Sequence, residues 1–574
     1  MNSPEMSRLH IIDTLGAFFV TKPKSGTINW SKVPFSDIES NGRLSEKARD
    51  AIIENFETYI EKVSSLGYDA ISIDDLAHMA KMPFYDQETA MLIEDYQHLY
   101  ARLFKIATSL GMRIYVNTDY LFTNDSIEQR LQSGVSPVEL FTNILQKAFD
   151  MFPEISGVIL RIGENDGKDV TGTFLSKLFI RTPDDANDLL KKILPVFEQF
   201  DKQLVFRTWT VGAYKIGDLI WNEKTFDAVF QNIESDALII SMKFGDTDFM
   251  RYLTLNPLFF HSKHKKIIEL QTRREWEGMG TFPSFVGWDY ERYWDRLRTN
   301  DSLIGIHVWC QTGGWAKSEW TNLTYLHGSS FWNELNTEVT LAIAKYGKTT
   351  EKAIELFCKS RNIKNTALFT DLLKNAEIAI NKGLYIEPVA NQALYFRRTR
   401  IPSLLWITWD IVHVPPVVVY LHRMLTSATA TMLQDGDDAI RACDTMIAHG
   451  SALGLHVSII DSLRFEKDTL AVLAGIRRHV IGQLDDAHTL NDLIRKYEHK
   501  YPQHYTIGKI KQSRHRRLPK RLLSPLIRRK VRYRKRDRVL LKTSALQAKI
   551  IRMYLRLSRS HLADQSMGIE ILFK

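Results

Sequence analysis

Between residue 9 and about residue 310 the chain passes eight times from a short apolar run into an amphipathic helical stretch. The runs are Ile11–Phe19, Asp69–Ile73, Arg113–Asn117, Gly157–Arg161, Gln203–Arg207, Leu238–Lys243, Ile267–Gln271 and Leu303–Val308. Each has strand length, and most are rich in Ile, Leu, Val and Phe, as strands covered on both faces must be. Between them lie helical periods such as Glu46–Leu66, Ala90–Leu110, Pro137–Met151 and Pro183–Phe200. Thr182 is placed to cap the last of these, with Pro183 at its first position and acids in its first turn. Gly67 and Gly111 stand where a helix must end before the next strand begins. Eight parallel strands joined by crossover helices over some three hundred residues predict an α/β fold, a closed (β/α)8 TIM barrel. A doubly wound open sheet is the competing solution, but no GxGxxG follows the first run.

The chain of 574 residues is longer than one barrel requires. The expected organisation is a catalytic barrel over 1–340, an all-helical domain over 341–506 and a basic, partly helical extension over 507–574. The middle part loses the strand pattern and reads LAIAKYG, EKAIELFCKSR, ALFTDLLKNAEIAI and DDAIRACDTMIAHGSALG. Its most apolar stretch, Ile401–Leu421, contains Asp410, His413 and Pro415–Pro416, which predicts a buried helix broken by proline rather than a membrane span. Three cysteines, Cys310, Cys358 and Cys443, are odd in number and far apart, so no disulfide framework and no CxxC metal pair is expected. The opening residues place no basic segment before a long apolar core, so the expectation is a cytoplasmic protein without a secretory signal.

The net charge of +9 divides unevenly. Between Lys509 and Arg559 stand 20 Lys or Arg and one acid, Asp537, a balance of +19, so the rest of the chain carries −10. Interleaved Leu and Ile, with Tyr533 and Tyr554 as the aromatics, make Leu540–Leu557 read as a surface-binding amphipathic helix rather than a base-stacking platform. An anionic membrane surface or another polyanion is the expected partner of this extension, and charge alone does not separate lipid, acidic glycan and nucleic acid. Peripheral membrane attachment and a homodimer are further expectations.

In a barrel of this kind the chemistry sits at the C-terminal ends of the strands. Those ends carry Asp74 and Asp75, Asn117 and Asp119, Arg161 and Glu164, Arg207 and Trp209, Lys243, Asp246 and Asp248, Arg273, Arg274 and Glu275, then Trp309, Gln311 and Trp315. Carboxylates on neighbouring strand ends can share one water, which a hydrolase's general base needs. Aromatic rings beside carboxylates suit a sugar, whose ring face stacks while its hydroxyls find charged partners. A metal site is not expected, because HxH and HExxH are absent, and no cofactor is implied.

The run MKFGDTDF…NPLF…IIELQTRREWEG resembles the core of the glycoside hydrolase family 67 α-glucuronidases, in which a strand-borne lysine precedes G-x-x-D-F and an E-(aromatic)-Q-x-x-x-E segment follows. Leu270 stands at the aromatic position. GVILRIGENDG is similar to that family's strand ending in a base and its acid catalyst, VFRTW to the segment with a sugar-binding arginine, and SEWTNLTYLHGSSFWNELNTEV to its W-T-G segment. The likeness covers roughly residues 9–360. It departs from the family in NDGKDV after the acid, in a loop one residue shorter at Arg161, and in the lack of a counterpart to the family's N-terminal β-domain and of a precedent for the basic extension.

The resemblance implies that Asp248 and Glu275 activate water, that Glu164 is the general acid, and that Arg161, Arg207 and Lys243 hold the substrate's carboxylate. Asp75, Trp209 and Trp309 complete the expected substrate contacts. The activity so implied is an inverting hydrolysis removing uronic acid from an oligo- or polysaccharide, with acid and base about 6.5–9.5 Å apart. Two alternatives stand beside it: a glycosidase of other specificity acting on acidic exopolysaccharide, and a non-catalytic glycan-binding or polysaccharide-assembly protein on the same barrel.

Overall fold

A computed structural model describes residues 9–21, 32–163, 172–210, 214–311, 323–326, 330–390, 429–481 and 487–502, with short pieces between 394 and 412, at 506–507, and at four single positions between 535 and 546. Eight strands form the centre: β1 (Leu9–Asp13), β2 (Ala70–Asp74), β3 (Arg113–Asp119), β4 (Ile155–Arg161), β5 (Gln203–Arg207), β6 (Leu238–Lys243), β7 (Lys266–Gln271) and β8 (Leu303–Trp309). They are parallel and follow chain order around a closed barrel, with β8 returning to β1 through pairs such as Ile11 with His307. The (β/α)8 barrel is therefore the fold.

β5 and β6 coincide with the expected runs, and most others differ by a residue or two. The first run was expected to continue to Phe19, but β1 ends at Asp13 and Leu15–Phe18 form a 3₁₀ turn. Gly16 in that turn comes so close to the end of β8 that a Cβ there would lie 3.0 Å from the Gln311 side chain. Helix Glu46–Leu66 stops at Gly67, whose φ of 108° is open to glycine and costly for other residues. Helix Pro183–Gln199 opens on a capping box: the Asp185 N–H donates to Thr182 Oγ1 at 3.1 Å, and the Thr182 N–H donates to Asp185 Oδ2 at 2.8 Å.

The alternation of the strands sorts their side chains into layers inside the barrel. Leu9, Ile11, Tyr115, Val205, Ile239 and Ile267 belong to one apolar layer. Residues of the same parity nearer the C-terminal ends are Asp13, Asp74, Asp119, Arg161, Arg207, Lys243 and Glu269. A hydrophobic floor thus supports a charged upper layer.

Helix Phe331–Ala344 packs on β8 and on Gly287–Leu297, so residue 340 falls inside the barrel's last helix. Beyond it lie Thr350–Ser360, Thr366–Ala379, Thr429–Ala452, Val457–Ile481 and Ala487–Lys500. The Arg477 guanidinium, buried among them, donates to the carbonyl of Tyr385 at 2.8 Å. The expectation of an all-helical domain is corrected in one place. Leu394–Phe396 pairs antiparallel with Thr399–Ile401, and Ile407–Thr408 with Ile411–Val412, to which Thr506–Ile507 adds in parallel. The described parts of the expected 401–421 helix are therefore strands, consistent with their β-branched Ile, Val and Thr. Apart from the single positions named, the basic extension from Lys509 lies outside the described residues. Among the described residues no helix is long and apolar enough to cross a membrane.

Candidate active site

On the β5–β8 side, one buried carboxylate organises the charged layer. Glu269 shares the inward parity of Ile267 and receives two hydrogen bonds from Arg207, from Nε at 2.9 Å and Nη2 at 2.8 Å. Ser241 Oγ donates to it at 2.7 Å and the Trp309 indole N–H at 3.2 Å. Burial alone would raise its pKa, but the Arg207 charge and hydrogen bonds, followed by Lys243, hold it at about 2. The Arg207 guanidinium also lies 5.0 Å from the Trp309 ring centre. Beside them, burial pushes the His307 imidazole down to about 3, and its Nε2 sits 3.0 Å from Ser72 Oγ.

At the end of β6, Lys243 Nζ donates to Asp248 Oδ1 at 2.5 Å and lies 3.8 Å from the Trp209 ring centre. A cation, a carboxylate and an indole face therefore meet at one point of the rim. Glu275 lies on the loop after β7, 5% exposed, and its backbone N–H donates to Gln271 Oε1 at 3.2 Å.

That loop is fixed by a buried ion network. Arg251 donates to Glu277 from Nε at 2.8 Å and Nη2 at 2.9 Å, and Arg274 Nη2 adds a third bond at 3.1 Å. From the helical region, Glu377 accepts from Arg251 Nη1 at 2.7 Å, and Tyr385 Oη stands 3.4 Å from Glu277. Burial opposes ionisation of Glu277, but Arg251 and Arg274 prevail and hold its carboxyl well below the usual range. Glu466, on Val457–Ile481, has neither carboxyl oxygen hydrogen-bonded among the described residues. Burial, then the Glu277 charge, pushes its carboxyl well above the usual range.

On the β2–β4 side a narrow cleft opens between Asp74, Asp75 and His78, Lys32, Asp119 and Ser176, and the rings of Phe35, Phe122 and Phe174. Asp74 accepts from Asn117 Nδ2 at 2.9 Å and from the Val33 N–H at 3.1 Å. Burial, partly offset by Arg161, pushes its carboxyl up to about 6. Asp119 has the opposite fate: burial would raise it, yet Arg161, at 2.8 Å, and Lys32 together lower it. Two neighbouring carboxyls are thus drawn towards different protonation states, a feature of acid–base sites.

Asp75 therefore lines the cleft and Arg161 pairs with its Asp119, while Arg207 and Trp309 meet at Glu269 and Lys243 meets Asp248 and Trp209 at the end of β6. Glu164 and Trp315 lie outside the described residues. The three cations expected to receive an anionic substrate each face a protein carboxylate already: Arg161 meets Asp119, Arg207 meets Glu269 and Lys243 meets Asp248. Sequence reasoning missed Glu269, Lys32, His78 and the Glu277 network. Glu269 carried a signal, since an acid at inward parity within KIIELQ demands a buried cation. Lys32 carried none.

No family model and no curated protein matches the sequence. Among solved structures the chain is similar to an enzyme of glycoside hydrolase family 138 targeting pectin rhamnogalacturonan II, at 10% identity and a TM-score of 0.51. That match covers 88% of this chain and 63% of the other, so the chain spans less than two thirds of that enzyme's length. A β-mannanase from the blue mussel Mytilus edulis matches at 11% identity and a TM-score of 0.32, over 54% of this chain and 91% of that one. An O-GlcNAc hydrolase mutant from Thermobaculum terrenum matches at 10% and 0.37, over 78% and 85%. At such identities the likeness is one of fold.

Proposed function

We propose that the chain is a glycoside hydrolase that removes uronic acid from an oligo- or polysaccharide with inversion, in the manner of the family 67 α-glucuronidases. The observation that carries this reading is the meeting of Lys243, Asp248 and Trp209 at the end of β6. The indole offers a face for a sugar ring, the ammonium a charge for a uronate, and the carboxylate a base for water. Asp248 and Glu275 act as the base pair and Glu164 as the acid. Lys243 meets the substrate carboxylate, with Arg161 and Arg207 setting the field around it. The barrel over 1–340 holds the chemistry, the helical unit over 341–506 braces the loop after β7, and the extension over 507–574 attaches to an anionic surface. A polysaccharide substrate gains support from the fold neighbour that targets a pectin.

A glycosidase of other specificity is favoured by one observation. Arg207 commits two N–H groups to Glu269, which leaves less of the rim's positive charge for a uronate. The two readings separate on purified protein incubated with uronyl oligosaccharides and matched neutral ones. Release of uronic acid that is lost in Asp248→Asn and Glu275→Gln, with the thermal transition retained, is expected. Release of neutral sugars alone would overturn the uronyl reading, and release of none would overturn the hydrolase.

A further inference from the structure

We propose that the helical face carrying Val539 and Leu546 docks on an anionic lipid bilayer, with both side chains set into the boundary between headgroups and acyl chains. This rests on the reading that the basic extension attaches to an anionic surface, and it names that surface and the mode of attachment. The backbone is helical at Lys535, Val539, Thr543 and Leu546. Thr543 Oγ1 donates to the Val539 carbonyl, one turn back, at 3.1 Å. Steps of four, four and three residues bring these four positions onto one face of a helix. Val539 is 60% exposed and Leu546 59%, and no large apolar side chain among the described residues is more exposed. In the sequence Ile550, Met553 and Leu557 follow Leu546 at four, three and four residues, the period that continues this row.

The basic residues keep a fixed relation to that row. Arg538, Lys542, Lys549, Arg552 and Arg556 each stand one residue before a member of it or before Thr543, about 100° round a helix axis. A cationic row therefore borders an apolar one, and long Lys and Arg stems carry their charges to the height of lipid headgroups. Three occupants compete for this face. A soluble polyanion, nucleic acid or acidic glycan, uses the charge and leaves Val539 and Leu546 in water. A second copy would cover them, but it brings together two extensions that each carry a balance of +19. An anionic bilayer takes both features at once, because its headgroups pair with the cations and its acyl region receives the apolar row. The root of the extension is tied to the body, where Thr506–Ile507 pairs with Ile411–Val412, so a bilayer that holds the face holds the barrel with it.

The test uses the full chain as wild type and as the double variant Val539→Ser with Leu546→Ser, which keeps every charge. Co-sedimentation reads binding to vesicles of phosphatidylserine and phosphatidylcholine in equal parts and to phosphatidylcholine alone, and heparin beads supply a soluble-type polyanion. Wild type should bind the anionic vesicles, lose affinity as salt rises, and leave phosphatidylcholine vesicles unbound. The double variant should bind the anionic vesicles about tenfold or more weakly, and heparin as wild type does. A third variant, Leu546→Cys, carries an environment-sensitive dye, the native cysteines being buried. Its emission should shift to the blue on anionic vesicles and stay unshifted on heparin. Equal vesicle binding by wild type and double variant, or a dye that remains in water on vesicles, would overturn the proposal and leave a purely electrostatic attachment standing. Binding to neither vesicles nor heparin would overturn both. A dimer in analytical ultracentrifugation that the double variant dissolves, with vesicle binding unaltered, would assign the apolar row to a second copy and overturn the bilayer.

Discussion

Replacing Glu277 with Gln removes a fully buried carboxylate that faces both Arg251 and Arg274. The amide keeps the shape of the site and loses the charge. Arg251 retains Glu377 at 2.7 Å, but Arg274 is left buried without the carboxylate it faces. Removing one partner of a buried ion pair costs about 3–5 kcal/mol, because the remaining charge is uncompensated. The retained Glu377 places the expected loss near about 3 kcal/mol. Urea unfolding followed by far-UV circular dichroism measures it as a lower midpoint at unchanged slope. Glu277 has a folded pKa depressed below its ordinary 4.5, so its contribution is present above that value and lost as pH falls through the folded one. The difference between wild type and variant should therefore shrink in acid. Adding Arg274→Met should recover about 1 kcal/mol or more, since the pair is coupled. A loss under about 1 kcal/mol, or no recovery in the double variant, would refute the network as the brace of the Glu275 loop.

Glu466→Leu should stabilise the protein, because the carboxyl it removes is buried and has no hydrogen-bond partner among the described residues. Its folded pKa is raised, so the penalty is absent below the ordinary 4.5 and grows as pH rises; the gain in Tm should widen from about pH 4 to about pH 8, and a gain independent of pH would contradict this. Arg207→Met should lower kcat/KM on uronyl and matched neutral substrates alike, because Arg207 holds Glu269, whereas Lys243→Met should lower the uronyl value selectively, by about tenfold or more. Equal effects of Lys243→Met on both substrates would dismiss Lys243 as the uronate's partner. Truncation after residue 510, which spares strand Thr506–Ile507, should leave activity on a small substrate intact and weaken binding to anionic vesicles in a salt-dependent way. Loss of the thermal transition would make the extension part of the fold.

The barrel was legible because its strands are covered on both faces and read as unbroken apolar runs, as Leu238–Lys243 does without error. Helix ends were legible where chemistry requires one residue type, as at Gly67 and Thr182. The short strands at 394–412 were not, since pieces of two or three residues carry no period. Rim candidates could be named from strand ends, but their partners could not. Whether Arg207 faces a substrate or Glu269 depends on which residues lie across the barrel, and strand order and register are set by closure rather than by local sequence. The Glu277 network is less legible still, for it joins Arg251 to Glu377, residues 126 apart.

Proton NMR of the first product formed from a uronyl oligosaccharide bears most directly on the central claim. An inverting hydrolase with Asp248 and Glu275 as its base pair releases the uronic acid as the anomer opposite to that of the bond cleaved, before mutarotation mixes the two. Initial product of the same anomeric configuration would mean a covalent intermediate and a closer pair of carboxyls, about 5–5.5 Å apart, and the assignment of these residues would be contradicted.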